Sequence, residues 1–270
     1  MQVDLRRTEN PVTQLPVSAV VITRDEADRI GRCLASLVTL CDEVLVMDSG
    51  STDDTVAIAR AAGATVIEQK WLGFAEQKNA VVAQARNKWV LLLDADEWLG
   101  NGAAEAITEL HLSGRIEECD VWRLQRRTHF LGKALRFGGW GRESVERLFR
   151  KRMRYQPALV HERLQLGGVR CGRLQARIEH DTARDEAEYR RKLDAYSSLF
   201  ARQRHREGRR ASLLDAPLHA FFYAFKNGLV RGGFLDGPHG WRFHLAHARY
   251  VWDKYRRLWQ LGLRRDSFRR

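Results

Sequence analysis

A chain of 270 residues with 44% hydrophobic residues can bury a full core, and one α/β domain with an appendage fits it better than two equal domains. It has no run of the ~18 apolar residues that a membrane helix needs, and the stretch from Met1 to Pro16 lacks the apolar core of a signal peptide. Cys33, Cys41, Cys119 and Cys171 form neither a CxxC pair nor a zinc-like cluster, so free thiols in a reducing cytoplasm are expected.

The net charge is +12, and only eight of the 46 basic residues are Lys, which leaves 38 Arg. Arginine grips phosphate in bidentate fashion, so the charge points to a polyanionic partner; a G+C-rich genome would also enrich Arg, and both readings stay open. The basic excess falls after Arg115, whereas residues 17–110 are nearly balanced.

In chain order, residues 1–16 read as a disordered tail and Val17–Ile22 as a short buried strand. Glu26–Thr39 places Ala27, Ile30, Leu34 and Leu37 at helical spacing, and Val44–Met47 is a second strand ending in Asp48-Ser49-Gly50. Cap-like residues at Ser51–Asp54 open a helix over Thr55–Ala62, closed by Gly63. A strand over Thr65–Ile67, a helix over Phe74–Ala85 and the very apolar strand Trp89–Leu93 follow. Strand and helix alternate four times, which predicts a doubly wound parallel sheet. After a helix over Ala103–Leu112, short strands over Val121–Gln125, Val145–Phe149 and Leu159–Leu164 predict a mixed sheet. From Asp185 the chain reads as helical: Ala187–Arg206, then Leu213–Gly262 with a break at Gly232–Gly240. The expected division is a tail over 1–16, an α/β domain over 17–182 and a helical, basic-aromatic region over 183–270.

Open α/β sheets bind ligands at the carboxyl ends of their strands. Asp25-Glu26, Asp48 and Asp94/Asp96 all fall there, and no GxGxxG phosphate cradle is present. Carboxylates in that place suit a divalent cation, Mg²⁺ or Mn²⁺, which would neutralise a diphosphate. A DxD pair alone is also an ordinary polar turn. Its place after five apolar strand residues, one unit beyond Asp48, favours the metal reading.

The segments VSAVVITRDEADRIGRCLASL, EVLVMDSGSTDDTVAIA and FAEQKNAVVAQARNKWVLLLDADEWL resemble the family 2 glycosyltransferases of GT-A fold over residues 17–100. That resemblance implies a UDP-sugar donor. Its site would comprise Thr23, Asp25 and Glu26 at the base, Asp48-Ser49-Gly50 at the nucleoside, Lys78-Asn79 facing the nucleotide, and Asp94-Ala95-Asp96. Asp96 would hold the metal and Asp94 the ribose side. The later segments WGRESVERLFRK, LVHERLQ and FFYAFKNGLVRGGFLDGPHGW resemble bacterial lipopolysaccharide inner-core β-1,4-glucosyltransferases acting on heptose. In that group Val160-His161-Glu162 lies near the acceptor. Relatives often carry Pro-Asp ahead of the RLFR run, where this chain has Arg142-Glu143-Ser144, so the resemblance leaves the base unsettled.

An inverting transfer needs one carboxylate to deprotonate the acceptor hydroxyl. Glu162 is the first candidate and Glu143 the second; the plain alternative for Glu162 is a salt bridge to Arg163 or another Arg. Trp140 and His161 are candidates for the acceptor side. The implied reaction moves a hexose, glucose foremost, from a UDP-sugar to a phosphorylated lipopolysaccharide core heptose. Aromatic and basic residues mixed beyond Leu213 suit peripheral binding to the anionic inner face of the inner membrane, although packing onto the core would explain most of the aromatics equally well.

Two rival classes remain. A nucleotidyltransferase would carry a glycine-rich loop after the first strand, but Thr23-Arg24-Asp25-Glu26 has no glycine before Gly31. A nucleic-acid binder would show a helix-turn-helix, zinc-finger or RNA-recognition signature, and none is visible. Another family 2 transferase with a different cell-surface glycan acceptor is the nearer alternative.

Overall fold

The structure is a computed structural model that describes residues 14–158 and 162–266, with side chains to 263. The first half is built from β1 (Leu15–Thr23), α1 (Ile30–Ala35), β2 (Cys41–Asp48), α2 (Thr55–Ala61), β3 (Thr65–Glu68), α3 (Phe74–Gln84) and β4 (Trp89–Asp94). Strands β3, β2, β1 and β4 lie side by side and parallel. Buried on both faces, β1 sends Val17, Ala19 and Val21 into one core and Val20 and Ile22 into another, which explains its unbroken apolar run. It begins earlier than the sequence implies: Leu15 is buried and its N–H donates to the Leu40 carbonyl at 2.8 Å. Leu15 and Pro16 therefore belong to the sheet, not to a tail, while residues 1–13 lie outside the described residues. Helix α1 is shorter than Glu26–Thr39, because Ser36 turns its hydroxyl onto the Cys33 carbonyl and the chain continues in turns.

The second half adds β5 (Glu97–Leu99), α4 (Ala103–Leu112), β6 (Val121–Phe130), β7 (Lys133–Ala134), β8 (Glu143–Arg150) and β9 (Cys171–Asp181). The sheet order is β3-β2-β1-β4-β8-β6-β9-β5, with β7 on β6. Strand β9 is not anticipated by the sequence, and the strand expected over Leu159–Leu164 is not formed by its described part: Leu164 makes only an isolated bridge to Tyr155. Residues 159–161 lie outside the described residues.

The order forces a curl. Strands β4 and β5 stand four positions apart in the sheet, which in a flat sheet is about 19 Å at ~4.8 Å per strand. Only Ala95 and Asp96 separate them, a link that reaches about 11 Å at 3.8 Å per Cα step. The strands from β4 round to β5 must bend toward closure, and the DxD turn is the seam.

Three helices follow: α5 (Glu186–Arg206), α6 (Asp215–Tyr223) and α7 (Gly237–Asp266), with a π-helical stretch over Ala224–Val230 and a 3-10 turn over Gly233–Asp236 before α7. Asp185 caps α5 by accepting from the Glu188 N–H at 2.7 Å. The break in the C-terminal helical region ends at Gly237, earlier than the sequence implies. A third core, with Phe130, Leu135, Tyr189, Leu193, Phe243 and Tyr250, joins these helices to the end of β6. Together these elements form the α/β, GT-A type sheet with a helical C-terminal region that the sequence implies. Among the described residues no helix is long and apolar enough to cross a membrane.

Candidate active site

At the carboxyl ends of β1 and β2 two turns interlock. Asp48 Oδ2 accepts from the Gly50 N–H at 2.8 Å and the Ser51 N–H at 2.9 Å, and Oδ1 accepts from the Ser51 hydroxyl. Gly50 takes φ +89°, a left-handed conformation that glycine adopts without strain. Ser51 Oγ in turn accepts from the Asp25 N–H at 2.8 Å, and Asp25 Oδ1 accepts from the Thr52 N–H at 2.8 Å. Asp25, Asp48, Ser49 and Gly50 are thus brought together, with Ser49 tied to the buried Gln77 amide at 3.1 Å. Thr23 Oγ1 is buried at this end with no hydrogen-bond partner among the described residues. Glu26 turns away to Arg29 at 2.6 Å and Arg184 at 3.1 Å; burial outweighs both cations and raises its carboxyl above the ordinary range.

The DxD turn sits in a chain of alternating charges. Glu162 Oε1 meets Lys78 Nζ at 2.6 Å, and the same Nζ lies 3.1 Å from Asp94 Oδ1. Asp94 Oδ2 accepts from Arg147 Nη2 at 2.8 Å, and Arg147 also reaches Glu97 at 2.7 Å. Glu97 pairs with Arg126 at 3.2 Å, and Arg126 holds Glu143 at 2.6 Å. Burial opposes the charge on Lys78, but Asp94 and Glu162 outweigh it and hold the ammonium above the usual lysine range. For Asp94, burial is likewise outweighed by Lys78 and Arg147, which keep the carboxyl well below its usual range. Lys78 is therefore a buried structural cation, not a solvated helix charge. Asn79 spends both amide atoms on the backbone of Tyr155, at 2.8 and 3.0 Å.

Asp96 lies on the other side of the turn. Its Oδ2 is 3.4 Å from His180 Nε2 and 3.4 Å from Lys192 Nζ. Burial raises its carboxyl, but His180, Lys192 and Arg29 together hold it well below the ordinary range. A carboxylate oxygen facing an imidazole nitrogen is a donor pair that Mn²⁺ accepts, whereas Mg²⁺ would use the carboxylate oxygen alone; among the described residues His180 Nδ1 is buried without a hydrogen-bond partner. No group of three or more His, Cys, Asp or Glu side chains converges among the described residues. The pair therefore fits a cation that takes its remaining ligands from phosphate oxygens and water. Ala95, between the two carboxylates, is buried in the core.

The two candidate bases stand at opposite ends of the charge chain. Glu162 is 15% exposed and one cation away from Asp94, whereas Glu143 is 40% exposed and lies beyond Arg126, Glu97 and Arg147. The partner of Glu162 is Lys78, not an arginine. Trp140 is half-buried in the third core, its ring 5.1 Å from Phe243 and 4.5 Å from His247, because the turn at Gly138 and Gly139 folds its loop back onto α7. His161 lies outside the described residues. Arg147, Glu97, His180 and Lys192 are part of this site and are not singled out by the sequence; they come from β8, β5, β9 and α5, and no local pattern links them.

The chain matches the model of glycosyl transferase family 2 over residues 18–172. It is 29% identical over 267 residues to the lipopolysaccharide core biosynthesis glycosyltransferase LpsC of Rhizobium meliloti, covering 90% of this chain and 94% of LpsC. It is 45% identical over 97 residues to an uncharacterized glycosyltransferase of Rickettsia felis; that stretch is 36% of this chain and spans about a third, 34%, of the relative. Among solved structures, glucosyl-3-phosphoglycerate synthase of Mycobacterium tuberculosis, in complex with Mn²⁺, UDP and glucosyl-3-phosphoglycerate, is 27% identical over 41% of this chain and 44% of that one. Its TM-score is 0.35, too loose a likeness to carry an inference. With a family match across more than half of its length, laid over a sheet whose strand ends gather the carboxylates described above, the chain belongs to glycosyl transferase family 2.

Proposed function

We propose that this glycosyltransferase moves a hexose, glucose as the first choice, from a UDP-sugar to a heptose of a phosphorylated lipopolysaccharide core, with inversion and with a divalent cation. The observation that carries the reading is the convergence at one end of the sheet of Asp25, Asp48, Asp94 and Asp96, with Glu162 joined to Asp94 through a single lysine. The likeness to LpsC along most of both chains supports the core acceptor.

Asp25 and Asp48, fixed by their own turns, would orient the nucleoside. Asp96 and His180 would hold the cation, which when bound supplies positive charge to the leaving diphosphate. Glu162 takes the proton of the acceptor hydroxyl as its oxygen bonds to the anomeric carbon, while the bond from that carbon to the diphosphate breaks on the opposite face. Lys78 and Arg147 keep Asp94 ionised and in place. Work at the inner face of the inner membrane, on a lipid-anchored acceptor, belongs to the same proposal; the +12 charge supports it.

Glu162→Gln is the test. A turnover loss of about 10²–10⁴ with UDP affinity unchanged is the expected signature of a general base. Near wild-type turnover in this variant, with collapse in Glu143→Gln, would transfer the role to Glu143.

A further inference from the structure

The C-terminal aromatics divide into two sets. Phe243 and Tyr250 are buried in the third core, and Tyr223 stacks on His247. Others point away from the protein. Leu214, Leu218, Phe221, Phe222, Phe225 and Leu229 recur at helical spacing from the N-cap of α6 through the π-helical stretch, and are 49–70% exposed. Val230, Phe234 and Leu235 extend the exposed apolar surface to the end of the 3-10 turn. So many large apolar side chains on one short segment mark an interaction surface.

Charge decides which partner fits. Residues 204–245 hold seven Arg and Lys against three Asp and Glu. Of those acids, Asp215 is folded onto Ser212, and Asp236 accepts from the Arg136 and Phe137 N–H groups at 3.0 Å each. Glu207 is paired with Arg204 at 3.1 Å. What remains outward is apolar side chains bordered by exposed cations, Lys226 and Arg231 among them, with Arg242 beside them facing Glu186 at 3.7 Å. Apolar anchors with a cationic rim complement an anionic bilayer, where each basic residue near the surface adds attraction and the apolar groups enter the headgroup boundary.

The base of this segment is braced against the protein. Gly138 donates its N–H to the Arg231 carbonyl at 2.9 Å. A Cβ on either Gly138 or Gly233 would come within 2.2 Å of His244 Nε2, so the imidazole is gripped between two glycines. The loop so held runs directly into Glu143 at the start of β8.

We infer that residues 213–235 are the face that lies on an anionic lipid bilayer. This rests on the peripheral-membrane reading above and names the element responsible. The test is co-sedimentation of the full chain with vesicles of 30% phosphatidylglycerol in phosphatidylethanolamine, and with phosphatidylcholine alone. Wild type is expected to bind the anionic vesicles, more weakly in high salt, with slowed amide exchange over 213–235. Phe221→Ser/Phe222→Ser/Phe225→Ser, on exposed positions, is expected to lose about tenfold or more in binding, since burial of each ring would drive insertion, with unchanged Tm. Lys226→Glu/Arg242→Glu is expected to lose anionic selectivity and to serve if the first variant misfolds. Wild type bound but both variants bound equally well would overturn the assignment of 213–235 and leave the peripheral reading standing. No binding by wild type would overturn both. Concentration-dependent self-association abolished by the triple variant, without vesicle binding, would make the face a contact between two copies of the chain instead.

Discussion

Arg147 offers the sharpest test of the charge chain. One nitrogen, Nη2, serves both Asp94 at 2.8 Å and Glu97 at 2.7 Å, and Glu97 is fully buried. Arg147→Met would keep most of the side-chain volume and delete the shared cation. Removing one partner of a buried pair costs about 3–5 kcal/mol, chiefly because a charge is left uncompensated. Here each carboxylate keeps a second cation, Lys78 at 3.1 Å for Asp94 and Arg126 at 3.2 Å for Glu97, so the lower end applies, about 3 kcal/mol. At about 2–4 °C per kcal/mol, Tm should fall by roughly 6–12 °C. Urea denaturation should show a lower midpoint at unchanged slope. The double variant Arg147→Met/Glu97→Gln should lose less than the two single losses combined, since the amide no longer needs the guanidinium. A loss under about 1 kcal/mol, or strict additivity in the cycle, would refute the claim that these carboxylates depend on Arg147.

Other outcomes follow from the same geometry. Asp96→Asn should abolish the Mn²⁺-dependent part of UDP binding in calorimetry while leaving Tm within a few degrees, because an amide is a poorer metal ligand; undiminished Mn²⁺ dependence would remove Asp96 from the site. Asp48→Ala should weaken UDP binding measured the same way, and equal affinity would place the nucleoside elsewhere. Asn79→Ala should lower stability by about 1–3 kcal/mol through the two lost hydrogen bonds to Tyr155, read by urea denaturation, and a change of UDP affinity without a stability loss would reverse that assignment. Hydrogen bonds from Lys88 and Trp89 hold Glu117 at about 2. A depressed carboxyl stabilises the fold fully above its unfolded value near 4.5 and loses that contribution as the pH falls toward 2. Between those pH values wild type should lose Tm faster than Glu117→Gln, and parallel curves would count against the coupling.

The parallel half of the sheet was legible because each strand is an apolar run buried on both faces and each helix follows within a short turn. The helix over Ala103–Leu112 forms at the residues its apolar spacing implies. Strand β9 does carry a strand signal, Arg173, Gln175, Arg177 and Glu179 alternating with the inward Leu174, Ala176 and Ile178, but that signal is short, dominated by charge and set beside the glycine turn at Gly167-Gly168. The strand ends announced Asp25, Asp48, Asp94 and Asp96. What sequence order could not announce was pairing at a distance: Lys78 with Glu162, Arg147 with Asp94, His180 with Asp96. Nor could it sort the C-terminal aromatics, since inward Phe243 and outward Phe221 differ only in which side of a helix they occupy.

The seam of the sheet has a bearing on how much length variation this protein can accept. Glu97 stands opposite His180 in the antiparallel pairing of β5 with β9, and the Asp181 N–H donates to the Asp96 carbonyl at 2.9 Å. The meeting of Asp96 and His180 is thus set by a hydrogen-bond ladder, not by a flexible loop. Sliding β9 by one residue would put Glu179 or Asp181 opposite Glu97 and turn His180 to the other face. An added residue at the exposed Gly167-Gly168 turn ahead of β9 can bulge outward at small cost. The same residue added inside β9 would trade an imidazole for a carboxylate beside Asp96, placing negative charge where the site now presents a nitrogen. Evolution of this enzyme can therefore lengthen turns away from the site while holding fixed the count of residues along this strand.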